Sequence, residues 1–250
     1  MRRENSDQRI ALFIDFENLV TRTGHSPDTF DLQPALDTLL EKGKVVFRRA
    51  YADWTRFAAA TQRLHDKGVE LIDVPPSTRA GKNGADVRLV IDALELAYLR
   101  EHIDTFVLAS GDSDFCPLAY KLRENDRTVI GMAVKEATSP LFVKACDEFI
   151  YLRPPGQRKR EAAAAKEKPR EKVIPEIARE AAAGILAKAT NPVNPSAIKA
   201  AIVRREPDFD ERDHGFSSFS RLLEAMEQEK LLRLEQGAKG QWYVHPPESA

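Results

Sequence analysis

The first 153 residues alternate between short apolar runs and stretches in which apolar residues recur at helical spacing. The runs of strand length lie at 9–15, 44–53, 69–74, 105–110, 127–134 and 148–153, and the helical spacing is found at 31–42, 54–68, 84–100 and 114–125. Strands that alternate with helices form right-handed βαβ units, and continuous apolar runs suit strands that are buried on both faces. The pattern predicts a three-layer α/β domain with a mostly parallel sheet.

A second pattern begins near residue 175, after a segment that has lost its apolar periodicity. That segment carries seven Lys and Arg against three Asp and Glu, which is typical of a charged linker. Helical spacing then returns three times, at 175–189, 195–206 and 217–230, and is followed by two strand-like runs around a glycine-rich turn at 231–245. Three helices and a hairpin predict a winged helix. The predicted divisions are an α/β domain at 1–153, a linker at 154–174 and a winged helix at 175–247.

Composition narrows the class of protein. The chain is 42% hydrophobic and 31% charged, with a net charge of −1, which argues against indiscriminate binding to nucleic acid. No apolar run approaches the roughly 18–20 residues that span a bilayer, and the N-terminus lacks the apolar core of a signal peptide. Cys116 and Cys146 form no CxxC pattern, so no disulfide framework is indicated. We expect a soluble, cytoplasmic protein that does not bind membranes.

Carboxylates mark the ends of predicted strands and the start of one helix. Asp15 closes the first strand, Asp112 and Asp114 follow the 105–110 strand, and Asp86 opens a helix. Two carboxylates at about 5 Å repel by roughly 3 kcal/mol at an effective dielectric near 20, so four of them either take up protons or recruit cations. All-oxygen ligands select Mg²⁺ or Mn²⁺, which serve phosphodiester hydrolysis. The alternative is that each Asp caps a helix or makes a turn.

Three segments resemble the NYN-domain ribonucleases of the PIN-like superfamily. They are FIDFEN at 13–18, GADVRLVIDAL at 84–94 and LASGDSDFCPL at 108–118, and the resemblance covers about residues 9–152. It implies a PIN-like, Rossmann-like fold, dependence on Mg²⁺ or Mn²⁺, and RNA as substrate. The metal-binding and catalytic acids that it implies are Asp15, Asp86, Asp112 and Asp114. It further implies that Asn18 orients water, metal or phosphate. The family often has glycine after Asp15, and Phe16 stands there instead, so we expect its bulk to narrow the site.

Other residues of the first domain are candidates for contact with substrate. Arg79 and Lys82 lie among glycines in the connection before the helix predicted at 84–100, where a phosphate can approach the backbone. An ordinary flexible connection has the same composition. Ser110 either donates to a phosphate or turns the chain. Asp92 is four residues after Arg88, and we favour an ion pair on the helix surface over a supporting role behind the site.

The C-terminal segment HGFSSFSRLLEAMEQEKLLRLE at 214–235 resembles the OST-HTH, or LOTUS, domain, over about residues 175–245. Five apolar residues at helical spacing are expected in its core: Phe216, Phe219, Leu222, Leu223 and Met226. The candidate RNA contacts are Lys199, Arg204, Arg205, Arg221 and Lys239. Residues 175–250 hold ten Lys and Arg against twelve Asp and Glu, so RNA binding requires a local basic patch or a protein partner. Trp242 and Tyr243 are candidates for stacking on bases, although one of two adjacent strand residues normally faces the core.

These observations support three hypotheses. The first is a metal-dependent endoribonuclease whose winged helix binds or selects RNA. The second is a non-catalytic RNA-binding or scaffold protein with an inactive NYN domain. The third is a DNA-binding regulator built on the winged helix.

Overall fold

The computed structural model of this 250-residue protein describes residues 8–21, 30–75, 84–152, 172–189, 191–237 and 240–247. The chain divides into two compact units, Met1–Arg158 and Lys159–Ala250. Most of the predicted linker lies outside the described residues, and so do the candidate substrate contacts Arg79, Lys82 and Lys239. No helix among the described residues is long and apolar enough to cross a membrane.

The first unit is built on a six-stranded parallel sheet. Its strands are β1 Gln8–Asp15, β2 Gly43–Ala52, β3 Glu70–Asp73, β4 Thr105–Ala109, β5 Thr128–Val134 and β6 Glu148–Leu152. They lie in the order β3-β2-β1-β4-β5-β6, and every neighbouring pair is parallel. The predicted α/β domain with a mostly parallel sheet is confirmed.

In the described residues of this unit, six α-helices accompany the sheet. They are α1 Phe16–Thr21, α2 Gln33–Leu40, α3 Ala58–Asp66, α4 Gly84–Leu99, α5 Cys116–Glu124 and α6 Pro140–Ala145. Right-handed crossovers in this strand order place α1 to α3 on one face of the sheet and α4 to α6 on the other. The sequence did not predict α1 and α6, because a helix of six residues is too short to display a helical period.

Helix α3 begins at Ala58, later than predicted, because the preceding residues form a turn. The carboxylate of Asp53 accepts a hydrogen bond from the Thr55 amide at 3.1 Å, which holds the chain away from helical geometry. The indole Nε1 of Trp54 donates to the carbonyl of Ile72 at 3.0 Å and ties the turn to β3. Local polar contacts therefore override the apolar spacing that predicted a helix from residue 54.

The centre of the core is β1, where every residue from Ile10 to Ile14 is fully buried. Phe13 stacks on Phe106 of β4 with ring centroids 6.0 Å apart. A strand that is apolar on both faces has to lie inside the sheet with helices above and below it. The residue that follows this run, Asp15, is therefore carried to the middle of one sheet edge.

The order of the strands reverses between β1 and β4. The chain moves from β1 outward to β3 and then returns to β4 on the other side of β1, and Ile14 pairs with Ala109 in that register. The crevice beyond the carboxyl ends of strands at such a reversal is the usual binding site of an open α/β sheet.

The second unit is a small winged-helix arrangement. Its elements are α7 Glu176–Leu186, α8 Pro195–Val203, α9 Phe219–Gln228 and the antiparallel strands β7 Arg233–Gln236 and β8 Trp242–His245. Val193 adds a bridge to Val244 at the edge of this hairpin. Of the five predicted core residues, Phe216, Leu222, Leu223 and Met226 are buried and Phe219 is partly buried. The predicted three helices and hairpin are confirmed.

The burial of β1 yields a stability prediction. Leu12→Ala removes a fully buried side chain from the central strand and is expected to lower the free energy of unfolding by about 2–5 kcal/mol. Leu40→Ala, at a position that is 57% exposed, is the matched control and should have little effect. Urea unfolding of the two variants measures the difference. Equal midpoints would contradict a core centred on β1.

Candidate active site

Asp15 lies at the carboxyl end of β1 and is only 5% exposed. The Ser110 hydroxyl, directly after β4, donates to Asp15 Oδ2 at 2.9 Å. The backbone N–H of Asn18 donates to Asp15 Oδ1 at 3.2 Å. Both oxygens of this buried carboxylate are thus held by neighbouring groups, one on each side of the strand reversal.

The turn after β4 is joined to the start of α1 by further hydrogen bonds. The Gly111 N–H donates to the side-chain carbonyl of Asn18 at 3.1 Å, and the Asp112 N–H donates to Ser110 Oγ at 3.3 Å. Hydrogen bonds therefore join the FIDFEN segment to the SGDSD segment. The sequence did not reveal that Ser110 holds Asp15, because that contact depends on β1 and β4 being neighbours.

Gly111 lies where the turn after β4 meets the segment after β5. A Cβ at this position would overlap the carbonyl oxygen of Ala137, and the Ser139 N–H donates to the Gly111 carbonyl at 2.9 Å. Glycine allows this close approach. An open depression of about 410 Å³ borders the contact, and its lining residues are Gly111, Asp112, Ser113, Glu136, Ala137, Thr138 and Ser139.

Burial and charge act together on Asp15. Burial, followed by the charges of Asp86 and Asp112, raises the pKa of its carboxyl to about 7, although hydrogen bonds from Asn18 and Ser110 act in the opposite direction. Among the described residues, no Lys or Arg forms an ion pair with Asp15. Asp15 is therefore a buried acid whose ionisation is costly and lacks a basic partner.

Asp86 lies in the first turn of α4 and is partly buried. Its pKa is raised, first by burial and then by the charges of Asp112, Asp114 and Glu17. The four carboxylates that the sequence singled out thus lie close enough to influence one another. The topology brings them together from β1, α4 and the turn after β4.

Asp112 has a local role as well. It precedes the short 3₁₀ helix Ser113–Phe115, and its Oδ1 accepts a hydrogen bond from the Asp114 N–H at 3.1 Å. Asp112 therefore caps this short helix, as one reading of the sequence proposed. The same side chain also belongs to the acidic cluster, so the two roles are compatible.

Glu17 and Arg56 border the cluster and were not identified from the sequence. The Arg56 guanidinium is 52% exposed and donates to Glu17 Oε1 at 2.7 Å. Glu17 precedes Asn18 in the FIDFEN motif, and this position could have identified it as a candidate site residue. Arg56 follows β2 by a few residues, and only the strand order shows that this places a cation at the same sheet edge.

Phe16 does not narrow the site, in contrast to the expectation from the sequence. Its ring is fully buried and packs against Phe30, Trp54 and Phe57 at centroid distances of 5.5, 5.2 and 5.4 Å. The side chain therefore belongs to an aromatic cluster in the core, while Asp15 before it belongs to the crevice.

Asp92 is not the surface ion pair that the helical spacing favoured. It is 4% exposed, and the pairing with Arg88 Nε at 2.9 Å is supplemented by Arg49 Nη1 at 3.0 Å and the Tyr51 hydroxyl at 2.9 Å. Two guanidinium groups and a hydroxyl thus compensate this buried charge, and they fasten α4 to β2. Its charge is not among those that shift the pKa of Asp15 or Asp86.

The donor set suits a hydrated divalent cation. Within the described ranges, no three His, Cys, Asp or Glu side chains lie close enough together to enclose a metal ion. Mg²⁺ is usually held by one or two carboxylates and keeps several water molecules, so it does not need such an enclosure. A cluster of carboxylates around a buried acid with raised pKa, which in the described part of the chain has no ion pair, fits Mg²⁺ or Mn²⁺.

The candidate RNA contacts of the second unit differ in their surroundings. Three have acidic partners: Lys199 with Glu211 at 3.1 Å, Arg205 with Glu180 at 3.1 Å, and Arg221 with Glu224 at 2.6 Å. Arg204 is exposed and has no ion pair with a described residue. On the hairpin, Trp242 is 50% exposed, whereas Tyr243 is partly buried. Among the described members of the set, Trp242 is therefore an exposed aromatic side chain and Arg204 an exposed cation that is not engaged by an acid.

Each of the two units matches a known domain family. The model of the NYN domain matches residues 9–153, which is more than half of the chain. The chain belongs to the NYN-domain family. The model of the OST-HTH/LOTUS domain matches residues 170–244 of this NYN protein, so the two-domain resemblance seen in the sequence is confirmed. NYN domains have a nuclease-like fold, and OST-HTH domains are associated with RNA binding.

Two other proteins resemble part of this NYN protein. An uncharacterized protein of Methanocaldococcus jannaschii is 28% identical over 151 residues, which cover 60% of this chain and 58% of that protein. The crystal structure of a protein of unknown function from Vibrio parahaemolyticus has a TM-score of 0.52 at 23% identity, covering 60% of this chain and 96% of that one. This second likeness supports the fold alone.

The raised pKa of Asp15 predicts how stability depends on pH. In the unfolded chain this carboxyl ionises near pH 4, and in the folded NYN protein near pH 7, so the folded state holds a proton that the unfolded state releases. Stability from this group is therefore present below about pH 4 and lost as the pH rises through about 7. Asp15→Asn removes the cost and should raise the melting temperature by several degrees near pH 8, with the gain shrinking toward pH 5.

Differential scanning fluorimetry of both proteins across this pH range, without divalent metal, measures the gain. Asp66→Asn, an exposed substitution at the end of α3, is the control and should follow the wild type. A gain from Asp15→Asn that does not vary with pH would contradict a buried, charge-coupled Asp15.

Proposed function

We propose that this protein is a metal-dependent endoribonuclease that hydrolyses RNA phosphodiester bonds at Asp15, Asp86, Asp112 and Asp114. NYN domains are generally ribonucleases, which supports the reaction class. The observation that carries the proposal is the convergence of acids from β1, α4 and the turn after β4 around buried Asp15, whose pKa is raised by burial and by the charges of Asp86 and Asp112. Such a cluster is costly to the apo protein and is relieved by a bound cation.

The proposed ligands are the carboxylate oxygens of the four Asp residues, acting on Mg²⁺ or Mn²⁺. A divalent ion bound there would activate a water molecule and stabilise charge on the phosphate and the leaving oxygen. Ser110 and Asn18 hold Asp15 in place through their hydrogen bonds. We further propose that Arg79, Lys82 and Ser110 assist in placing substrate phosphates.

The winged helix is proposed to bind RNA or to select it, since OST-HTH domains are associated with RNA binding. The proposed contacts are Lys199, Arg204, Arg205, Arg221 and Lys239, together with Trp242. Because three of these cations are paired with acids, we propose that exposed Trp242 and Arg204 contribute most, and that a protein partner adds affinity. A cytoplasmic location belongs to the same proposal.

A second candidate function is non-catalytic RNA binding by an inactive NYN domain. It is favoured by the finding that, in the described parts of the chain, no three potential metal ligands come together closely enough to enclose an ion. This alternative keeps the RNA contacts and discards turnover, so a cleavage assay separates the two.

The cleavage assay compares wild type with Asp112→Asn on labelled single-stranded RNA in Mg²⁺, Mn²⁺ or chelator. Wild type is expected to cut only with a divalent metal. Loss of groups that merely orient metal ligands typically costs 10–100-fold, so loss of a ligand should reduce the rate by about 100-fold or more. Gel analysis of the products gives both rates.

Asp66→Asn is the matched control for this assay. Asp66 is exposed at the C-terminal end of α3, which leads into the start of β3 and therefore lies at the opposite edge of the sheet. Its rate should equal that of wild type. If wild-type protein binds varied RNAs and leaves them intact in Mn²⁺, the non-catalytic function is correct instead.

Trp242→Ala tests the RNA-binding surface of the winged helix. Stacking of a base on an aromatic side chain is worth about 1–3 kcal/mol, so affinity should fall by about fivefold to 100-fold. Fluorescence anisotropy in chelator measures binding to single-stranded RNA without cleavage. Tyr243→Phe should leave affinity unchanged, and a preference for duplex DNA over RNA would instead identify a DNA-binding regulator.

A further inference from the structure

Helix α4 presents an apolar stripe to solvent. Val87 is 57% exposed, Ile91 is 55% exposed and Tyr98 is 58% exposed, and Leu94 between them is partly buried. These four residues follow the spacing i, i+4, i+7 and i+11, which places them along one face of a helix. Contiguous exposed apolar residues of this kind mark interaction surfaces.

The stripe is not the face by which α4 joins its own domain. That role belongs to Leu89, Ala93 and Ala97, which are buried in the core, and the helix contacts β1, β2 and α5. Leu94 also packs against the core, whereas Val87, Ile91 and Tyr98 are not among the residues of that cluster. Tyr120 of α5, a helix that contacts α4, is also 51% exposed.

The spacing of the stripe matches the a and d positions of two heptads, in which Val87 and Leu94 occupy d while Ile91 and Tyr98 occupy a. In an antiparallel pair of helices, a residues of one helix pack against d residues of the other. A second copy of α4 would therefore set the partner's Tyr98 against Val87 and the partner's Leu94 against Ile91. Each large side chain meets an apolar neighbour, and the arrangement closes on itself with twofold symmetry.

Charged residues beside the stripe favour the same arrangement. Arg88 and Glu95 are both exposed and both occupy the e position, one heptad apart. In antiparallel pairs, e positions face e positions, so each Arg88 would lie opposite the partner's Glu95, and the ion pair would form twice. A parallel pair would set these charges against g positions, which are Val90 and Ala97 and offer no complement. The charges select an antiparallel second copy as the occupant.

We propose that the α4 stripe, defined by Val87, Ile91, Leu94 and Tyr98, is the contact surface of an antiparallel homodimer of this protein. The twofold axis passes between Ile91 and Leu94. The proposal does not depend on the nuclease activity. It bears on that activity because Asp86 lies in the first turn of the same helix, so dimerisation would support the segment that carries one of the four acids.

Sedimentation velocity of the full chain, from low to high micromolar concentration, tests the proposal. Wild type is expected to shift from monomer to dimer. Ile91→Glu places like charges at the axis and should weaken association by at least about tenfold. Leu141→Glu, on α6 at a position that is 67% exposed, is the control and should dimerise like wild type. Circular dichroism verifies that each variant is folded.

Glu95→Arg tests the antiparallel pairing and should weaken self-association, because each new Arg would face the partner's Arg88. Arg88 itself is left unchanged, because it also pairs with buried Asp92. Three results would overturn the proposal: a wild type that stays monomeric throughout, a dimer that Ile91→Glu leaves intact, or a Glu95→Arg variant that dimerises like wild type. A monomer whose stripe is covered by the winged helix counts as the first of these results.

Discussion

The structure depends on the position of Asp15, an acid that ends the fully apolar strand β1. The run from Ile10 to Ile14 places β1 at the centre of the sheet, because only there can both of its faces be covered. Asp15 follows without a break and is carried into a poorly solvated position next to other carboxylates. The hydrophobic effect that drives folding thereby imposes an electrostatic cost at one point. That cost is what makes the crevice chemically distinctive.

The protein accommodates this acid with fixed dipoles instead of a positive charge. The Ser110 hydroxyl and the Asn18 amide donate to Asp15, and Gly111 anchors Asn18 in turn. The contrast with Asp92 is instructive. That buried acid has two guanidinium partners and serves to fasten α4 to β2. Among the described residues, two buried carboxylates of one domain thus have opposite environments: Asp92 has guanidinium partners and Asp15 has none.

Much of the fold was predictable because its strands are local apolar runs bounded by polar residues. The short helices α1 and α6 and the turn before α3 were missed for local reasons, whereas the failures at the site involved partners distant in sequence. Asp92 has a surface-like helical position, but Arg49 and Tyr51 reach it from β2. The acids of the site were identifiable because each falls at the end of a strand or the start of a helix. The contacts of Ser110 and Arg56 could not be predicted, because they require the order of the strands.

The glycine between Ser110 and Asp112 has a consequence for engineering. Since Gly111 packs directly on the backbone of Ala137, the loops that follow β4 and β5 are mechanically coupled. Insertions or grafted sequences at residues 135–139 would displace Asp112 even though they change no acid. A redesign of that loop for a different substrate preference would therefore also shift Asp112. The winged helix, with a hydrophobic core of its own, is the more permissive place to introduce new recognition.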